Sequence, residues 1–145
     1  MNVHENLKHI CDLIKKQFNK DLEDIGLTFS QSGILMFILI NKDQKINQRD
    51  IEKEFGLSNP TVNGILNRLE DKRLVQRIND ENDKRIKNII PLAKAENFMN
   101  QVKEKKENME KNMLKNIKQE EIDIFCNILE KITINLKEET NERNI

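Results

Sequence analysis

Tryptophan and tyrosine are absent from this 145-residue chain, and cysteine, proline and glycine number only two, two and four. Cys11 and Cys126 lie far apart and neither belongs to a Cys-x-x-Cys pair, which argues against a disulfide scaffold and a structural metal and suits a reducing cytosol. Glycine forms no phosphate-cradling loop. The histidines, His4 and His9, are five apart, so they make neither the i, i+4 pair of a helical zinc site nor a catalytic couple. Long apolar runs are missing too. The longest, 34–40, is far short of a bilayer crossing, and the N-terminus is a charged amphipathic helix without a cleavage-type signal. Net charge is zero, with 25 basic against 25 acidic side chains, so any attraction for a polyanion must come from local asymmetry. Between Lys45 and Lys87 ten Lys or Arg stand against eight Asp or Glu, an excess of two. With 34% of residues charged, neighbouring carboxylates read as solvated faces rather than as an acid–base pair, so no enzyme and no cofactor is expected. The length suits one domain of ordinary size.

What is present centres on the stretch from Ile46 to Leu69, which reads as two short helices joined by a tight turn. Asn47 is a good N-cap for the first, Ile51 and Phe55 point inward at i and i+4, and Gly56 stands where a left-handed cap is wanted. Ser58 caps the second helix, and Pro60 sits in its first turn, where a missing N–H costs nothing. Val62, Ile65, Leu66 and Leu69 then form one buried stripe. The opposite face carries Asn59, Thr61, Asn63 and Asn67, polar groups without charge. A helix of this width fits the major groove of B-DNA, whose base edges offer distinct donor and acceptor patterns. An ordinary surface helix in an Asn-rich chain gives the same short pattern. The segment that follows favours DNA: Leu74 to Ile78 reads as a strand, Asn79 to Lys84 as a polar turn, and Arg85 to Ile90 as a second strand that Pro91 breaks. A helix-turn-helix followed by a hairpin is a winged helix.

Leu27-Thr28 with Gln31, Asn59-Pro60-Thr61-Val62, Leu66-Asn67-Arg68-Leu69-Glu70, Leu74-Val75 with Arg77, and the run from Asp80 through Asp83 to Arg85 together resemble the MarR family of bacterial winged-helix regulators. The resemblance covers most of the chain in register, and its most specific part is the Asp-x-x-Asp-x-Arg run of the wing. It implies that Asn59, Thr61, Asn63 and Arg68 lie near bases or phosphates, that Arg85 reaches a minor groove, and that Asp83 braces that arginine. Lys84 and Lys87 add positive charge to the wing and are expected to meet DNA with Arg85. Two departures from the family pattern stand out. Gly64 occupies a position where many relatives carry arginine, and Asn67 one where they often carry aspartate, so any tie from Asn67 to the wing arginine would use a neutral partner.

The rest of the chain reads as support. Val3, Leu7, Ile10, Ile14, Phe18, Leu22 and Ile25 run along one long helix that Gly26 stops. Thr28 to Gln31 forms a capping box for the next helix, which buries Ile34, Leu35, Ile38 and Leu39, and Ile46 reads as a single strand residue. From Ala93 to about Leu114 a helix is apolar only at Phe98, Val102, Met109 and Met113, too polar to pack on a core along its whole length. In the last helix Ile122, Phe125, Leu129, Ile132 and Leu136 form a coiled-coil-like seam. Closing that seam on the first helix within one chain leaves Leu13, Ile124, Ile128 and Ile134 exposed, which favours a dimer interface built from Leu7, Ile10, Ile14 and the seam. The family resembled interlocks its terminal helices in this way.

The expected fold is therefore mainly α: a winged helix-turn-helix over 30–92, an N-terminal dimerisation helix over 1–29, and linking and dimerisation helices over 93–145. The expected function is that of a cytoplasmic, ligand-responsive homodimeric repressor that binds a pseudo-palindromic operator through a recognition helix at about 58–71 and a wing at about 74–91. Its partners would be double-stranded DNA, a second copy of the chain, and a small aromatic or phenolic effector, with no membrane and no metal. Two other readings remain. A winged helix can serve as a protein-docking module, since fold does not fix function, and Cys11 beside Lys8, His9 and Lys15 allows a thiol sensor.

Overall fold

Polar side chains that fold back onto the first helical turn start each of the first four helices. In the computed structural model, which describes residues 2–143, Asn2 and Glu5 box the start of α1 (Val3–Asp21), and Thr28 and Gln31 that of α2 (Phe29–Ile40). Asn47 and Asp50 do the same for α3 (Gln48–Phe55), while Ser58 caps α4 (Asn59–Asp71) through the Thr61 amide. Each box satisfies amide groups that have no partner inside the helix. Two strands follow, β1 (Val75–Asn79) and β2 (Lys87–Pro91), then α5 (Lys94–Met113) and α6 (Gln119–Arg143). The fold is mainly α, a winged helix-turn-helix with long terminal helices. It comprises two compact units, the first ending at Met109 and the second beginning at Glu110.

The core of the first unit draws on every element around α4. Ile34, Leu35, Ile38, Ile51, Val62, Leu66, Leu69, Leu74 and Val75 are essentially buried, and Phe18 and Leu22 from the N-terminal segment join the same cluster. The strands pair antiparallel from Val75 opposite Pro91 to Asn79 opposite Lys87. The turn between α3 and α4 closes as expected, with Gly56 at φ 61°, a left-handed conformation that costs glycine little. Arg73 takes the same region at φ 58° and swings the chain from the end of α4 into β1.

Five local expectations are corrected. α1 ends at Asp21, and a separate 3₁₀ turn, Glu23–Ile25, precedes Gly26, a tightening that accompanies the burial of both Leu22 and Leu27. Pro91 does not break β2 but closes it, at the strand end, where a missing N–H is tolerated. The lone bridge residue before α3 is Asn47, paired with Asn88, while Ile46 accepts the Ile89 amide at 2.7 Å. Phe55 is half-exposed, resting edge-on against Phe37 with ring centres 5.7 Å apart. Finally, α5 packs over part of its length, as expected, but through Ala95 and Met99 as well as Val102, two positions the sequence did not mark as apolar contacts.

Two helices carry apolar side chains that their own unit leaves uncovered. On α1 these are Val3, Ile10 and Leu13, with Leu7 and Ile14 half-buried. On α6 they are Ile124, Phe125, Ile128, Ile134 and Leu136, with Ile122, Leu129 and Ile132 half-buried.

Candidate nucleic-acid interface

The polar face of α4 is organised by a residue outside it. Arg77 lies two residues after the buried Val75 and so points to the same face of β1, toward α4. Its guanidinium donates from Nε to Glu70, from Nη1 to Asn63 Oδ1 at 2.7 Å, and from Nη2 to Asn67 Oδ1. Asn63, Asn67 and Glu70 stand at i, i+4 and i+7 and so share one face of the helix. The Arg77 side chain is only 16% exposed, so this tie between recognition helix and wing is well shielded on the strand side.

At the wing, Asp80 fixes the root. Its carboxylate accepts from the Asn82 and Asp83 amides at 3.0 and 3.2 Å and from Asn88 Nδ2 at 2.8 Å, with Lys45 Nζ 3.7 Å away. The Asn88 hydrogen bond, helped by those amides, holds the Asp80 carboxyl below its ordinary pKa. At the tip, Asp83 accepts from the Arg85 amide, Nε and Nη2, each at 3.0 Å. That fork lowers the Asp83 pKa and raises that of Arg85. It also holds a guanidinium that is 90% exposed in one orientation, so the cation is placed in advance.

The residues expected to meet DNA fall into separate groups. Asn59, Arg85 and Lys87 line one groove of about 580 Å³ with Gln48, Arg49, Asp83 and others, and Gln48 Nε2 donates to the Asn59 carbonyl at 3.4 Å. Thr61 is exposed, yet its hydroxyl pairs with Ser58 at 2.8 Å and helps close the cap. Lys84 is exposed in the wing turn. Arg68 stands apart, in a cleft of about 450 Å³ with Thr28, Gln31 and Lys72 among its walls. Asn67 reaches the wing through Arg77 of β1 and not through Arg85, the tie the sequence suggested. Arg77, Glu70, Gln48 and Arg49 were missed as site residues. The i, i+4, i+7 spacing of Asn63, Asn67 and Glu70, with an arginine in the next strand, was the available signal. No group of three metal-ligating side chains occurs among the described residues, and no helix there is long and apolar enough to cross a membrane.

A hydrogen-bonding helix face beside a cationic hairpin is the equipment of a DNA reader, and a profile of the MarR family matches residues 25–86, the span from before α2 to the wing tip. The helix-turn-helix and wing thus resemble the MarR family. Curated relatives agree over a longer span. The HTH-type transcriptional regulator YsmB of Bacillus subtilis is 25% identical over 136 residues, 94% of this chain and 92% of YsmB. YwoH of the same organism is 29% identical over 116 residues, 80% of this chain and 82% of YwoH. Both relatives are HTH-type transcriptional regulators. Solved structures establish the same fold. The DNA complex of Staphylococcus aureus MepR superposes with a TM-score of 0.75 at 24% identity, covering 93% of this chain and 96% of MepR. Apo MarR from E. coli gives 0.81 at 18%, covering 91% and 97%.

Proposed function

We propose that this protein is a homodimeric repressor that places the two copies of α4 in successive major grooves of a pseudo-palindromic operator and the two wings in the flanking minor grooves. The observation that carries the reading is the pairing of an uncharged polar face on α4 with a wing whose Arg85 is held outward by Asp83. Uncharged amides enter a groove without desolvating an ion, while the wing and the groove around Asn59 supply the cations that meet phosphates. The solved DNA complex of MepR, a protein of the same fold, supports this placement.

Dimerisation follows from the uncovered apolar side chains. On α1 and on α6 a second copy covers what one chain leaves in water, and residues 1–29 and 93–145 serve that purpose. A small aromatic or phenolic effector then regulates the dimer. It need favour the wrong spacing of the two recognition helices by only about 1–3 kcal/mol to release DNA. The protein acts in the cytoplasm, where its operator is. Gel shifts of the duplex upstream of its own gene, at several salt concentrations and with and without aromatic acids, test the reading. Retarded duplex that dissolves as salt rises is expected. Failure to bind any duplex at low salt favours a protein-docking role instead.

A further inference from the structure

Arg77 dictates which end of two amides faces away from the protein. A guanidinium has five N–H donors and no acceptor, so a side-chain amide bonded to it must present oxygen. Asn63 and Asn67 therefore both turn Oδ1 toward Arg77. Glu70 takes Nε of the same guanidinium and keeps it from rotating away. Both asparagines are exposed, and their Nδ2 groups, each with two donors, find no partner among the described residues. Gly64 stands beside Asn63, and a Cβ built there meets nothing within 4 Å. A bare patch of helix thus lies beside two outward-aimed donors.

We infer that Arg77 is a positioning residue for sequence recognition: it makes Asn63 and Asn67 donor-only readers, which select guanine over adenine at the base pairs they face. This rests on the DNA-binding reading above. Asparagine recognises adenine by accepting from N6 while donating to N7, and that needs Oδ1 in the groove. Here Oδ1 is turned to β1. What enters the groove is Nδ2, and guanine offers it two acceptors, N7 and O6, where adenine sets a donor beside its one.

Selection from a random duplex library with the full chain tests the idea, and Asn63→Ala identifies which base pair loses information. The wild type is expected to enrich guanine there. In Arg77→Gln the partner can donate or accept, so the amides are free to turn, and the preference for guanine over adenine should fall on the order of tenfold. Asn63→Asp keeps an oxygen partner for Arg77, so the fold is retained, but it removes the donor. The selected base should then change to cytosine, whose N4 donates, and replacing guanine by 7-deazaguanine should weaken the wild type alone. Enrichment of adenine by the wild type, or unchanged profiles in Arg77→Gln and Asn63→Asp, overturns the inference while leaving DNA binding intact. A wild type that binds no duplex overturns the DNA-binding reading itself.

Discussion

Replacing Arg77 with alanine removes all three hydrogen bonds that join β1 to the polar face of α4. The bond to the Glu70 carboxylate is worth roughly 1.5–3 kcal/mol net, and those to the two amides about 1 kcal/mol each. Against that sum stand the roughly 2 kcal/mol of rotamer freedom that a fixed arginine forgoes and the screening of Glu70, whose side chain is 34% exposed. The expected loss is about 1–3 kcal/mol, which in a chain of this size lowers the melting temperature by roughly 2–12 °C. Circular dichroism melts of Arg77→Ala, Glu70→Gln and the double variant measure it. Glu70→Gln alone should cost about 1 kcal/mol, and in the double variant it should add almost nothing because its partner is gone. An Arg77→Ala protein that melts within about 1 °C of the wild type, or two costs that simply add, would refute the clamp.

Other outcomes follow from the same geometry. Gly64→Ala should stabilise the fold by about 1 kcal/mol, since alanine favours a helix interior and the added methyl meets nothing, while weakening operator binding by adding bulk to the face proposed to meet DNA. A lower melting temperature would count against that account. Asp80 and Asp83 have folded pKa values below their ordinary one of about 3.9. Depressed carboxyls stabilise the fold fully above the unfolded pKa and lose that contribution as pH falls through the folded one. Between pH 7 and 5 the wing should therefore be unchanged, with loosening only below about pH 4, and an NMR titration placing either carboxyl above its ordinary value would contradict the observed bonding. Leu129→Glu puts a charge in the apolar seam of α6 and should give monomer or unfolded chain by sedimentation. A dimer of normal stability would place the interface elsewhere.

How much of this was legible without coordinates depended on how local the cause was. The caps at Thr28, Asn47 and Ser58, the left-handed Gly56 and the stripe of Val62, Ile65, Leu66 and Leu69 are set by residues within a turn or two of one another, and all stand except that Ile65 is only half-buried. The Arg77 cluster depends instead on β1 folding back along α4. In sequence Asn63 and Asn67 are simply polar positions on the outer side of a helix, and nothing local says that their oxygens are already engaged. Met99 and Ala95 were hidden by the many Lys and Glu around them, because a polar average conceals a helix that buries side chains in its first turns and is mostly exposed in its later ones. The early end of α1 likewise answers a tertiary demand, the burial of Leu22 together with Leu27.

The central claim is that α4 and the wing form one DNA-binding surface, and the salt dependence of operator binding, followed by fluorescence anisotropy for the wild type and Arg85→Ala, tests it most directly. Each phosphate neutralised contributes about 0.9 to the slope of log affinity against log salt. The wild type should show a steep negative slope, and Arg85→Ala should bind more weakly with a slope shallower by about two per dimer, one for each wing. An Arg85→Ala protein with the affinity and slope of the wild type would contradict the account.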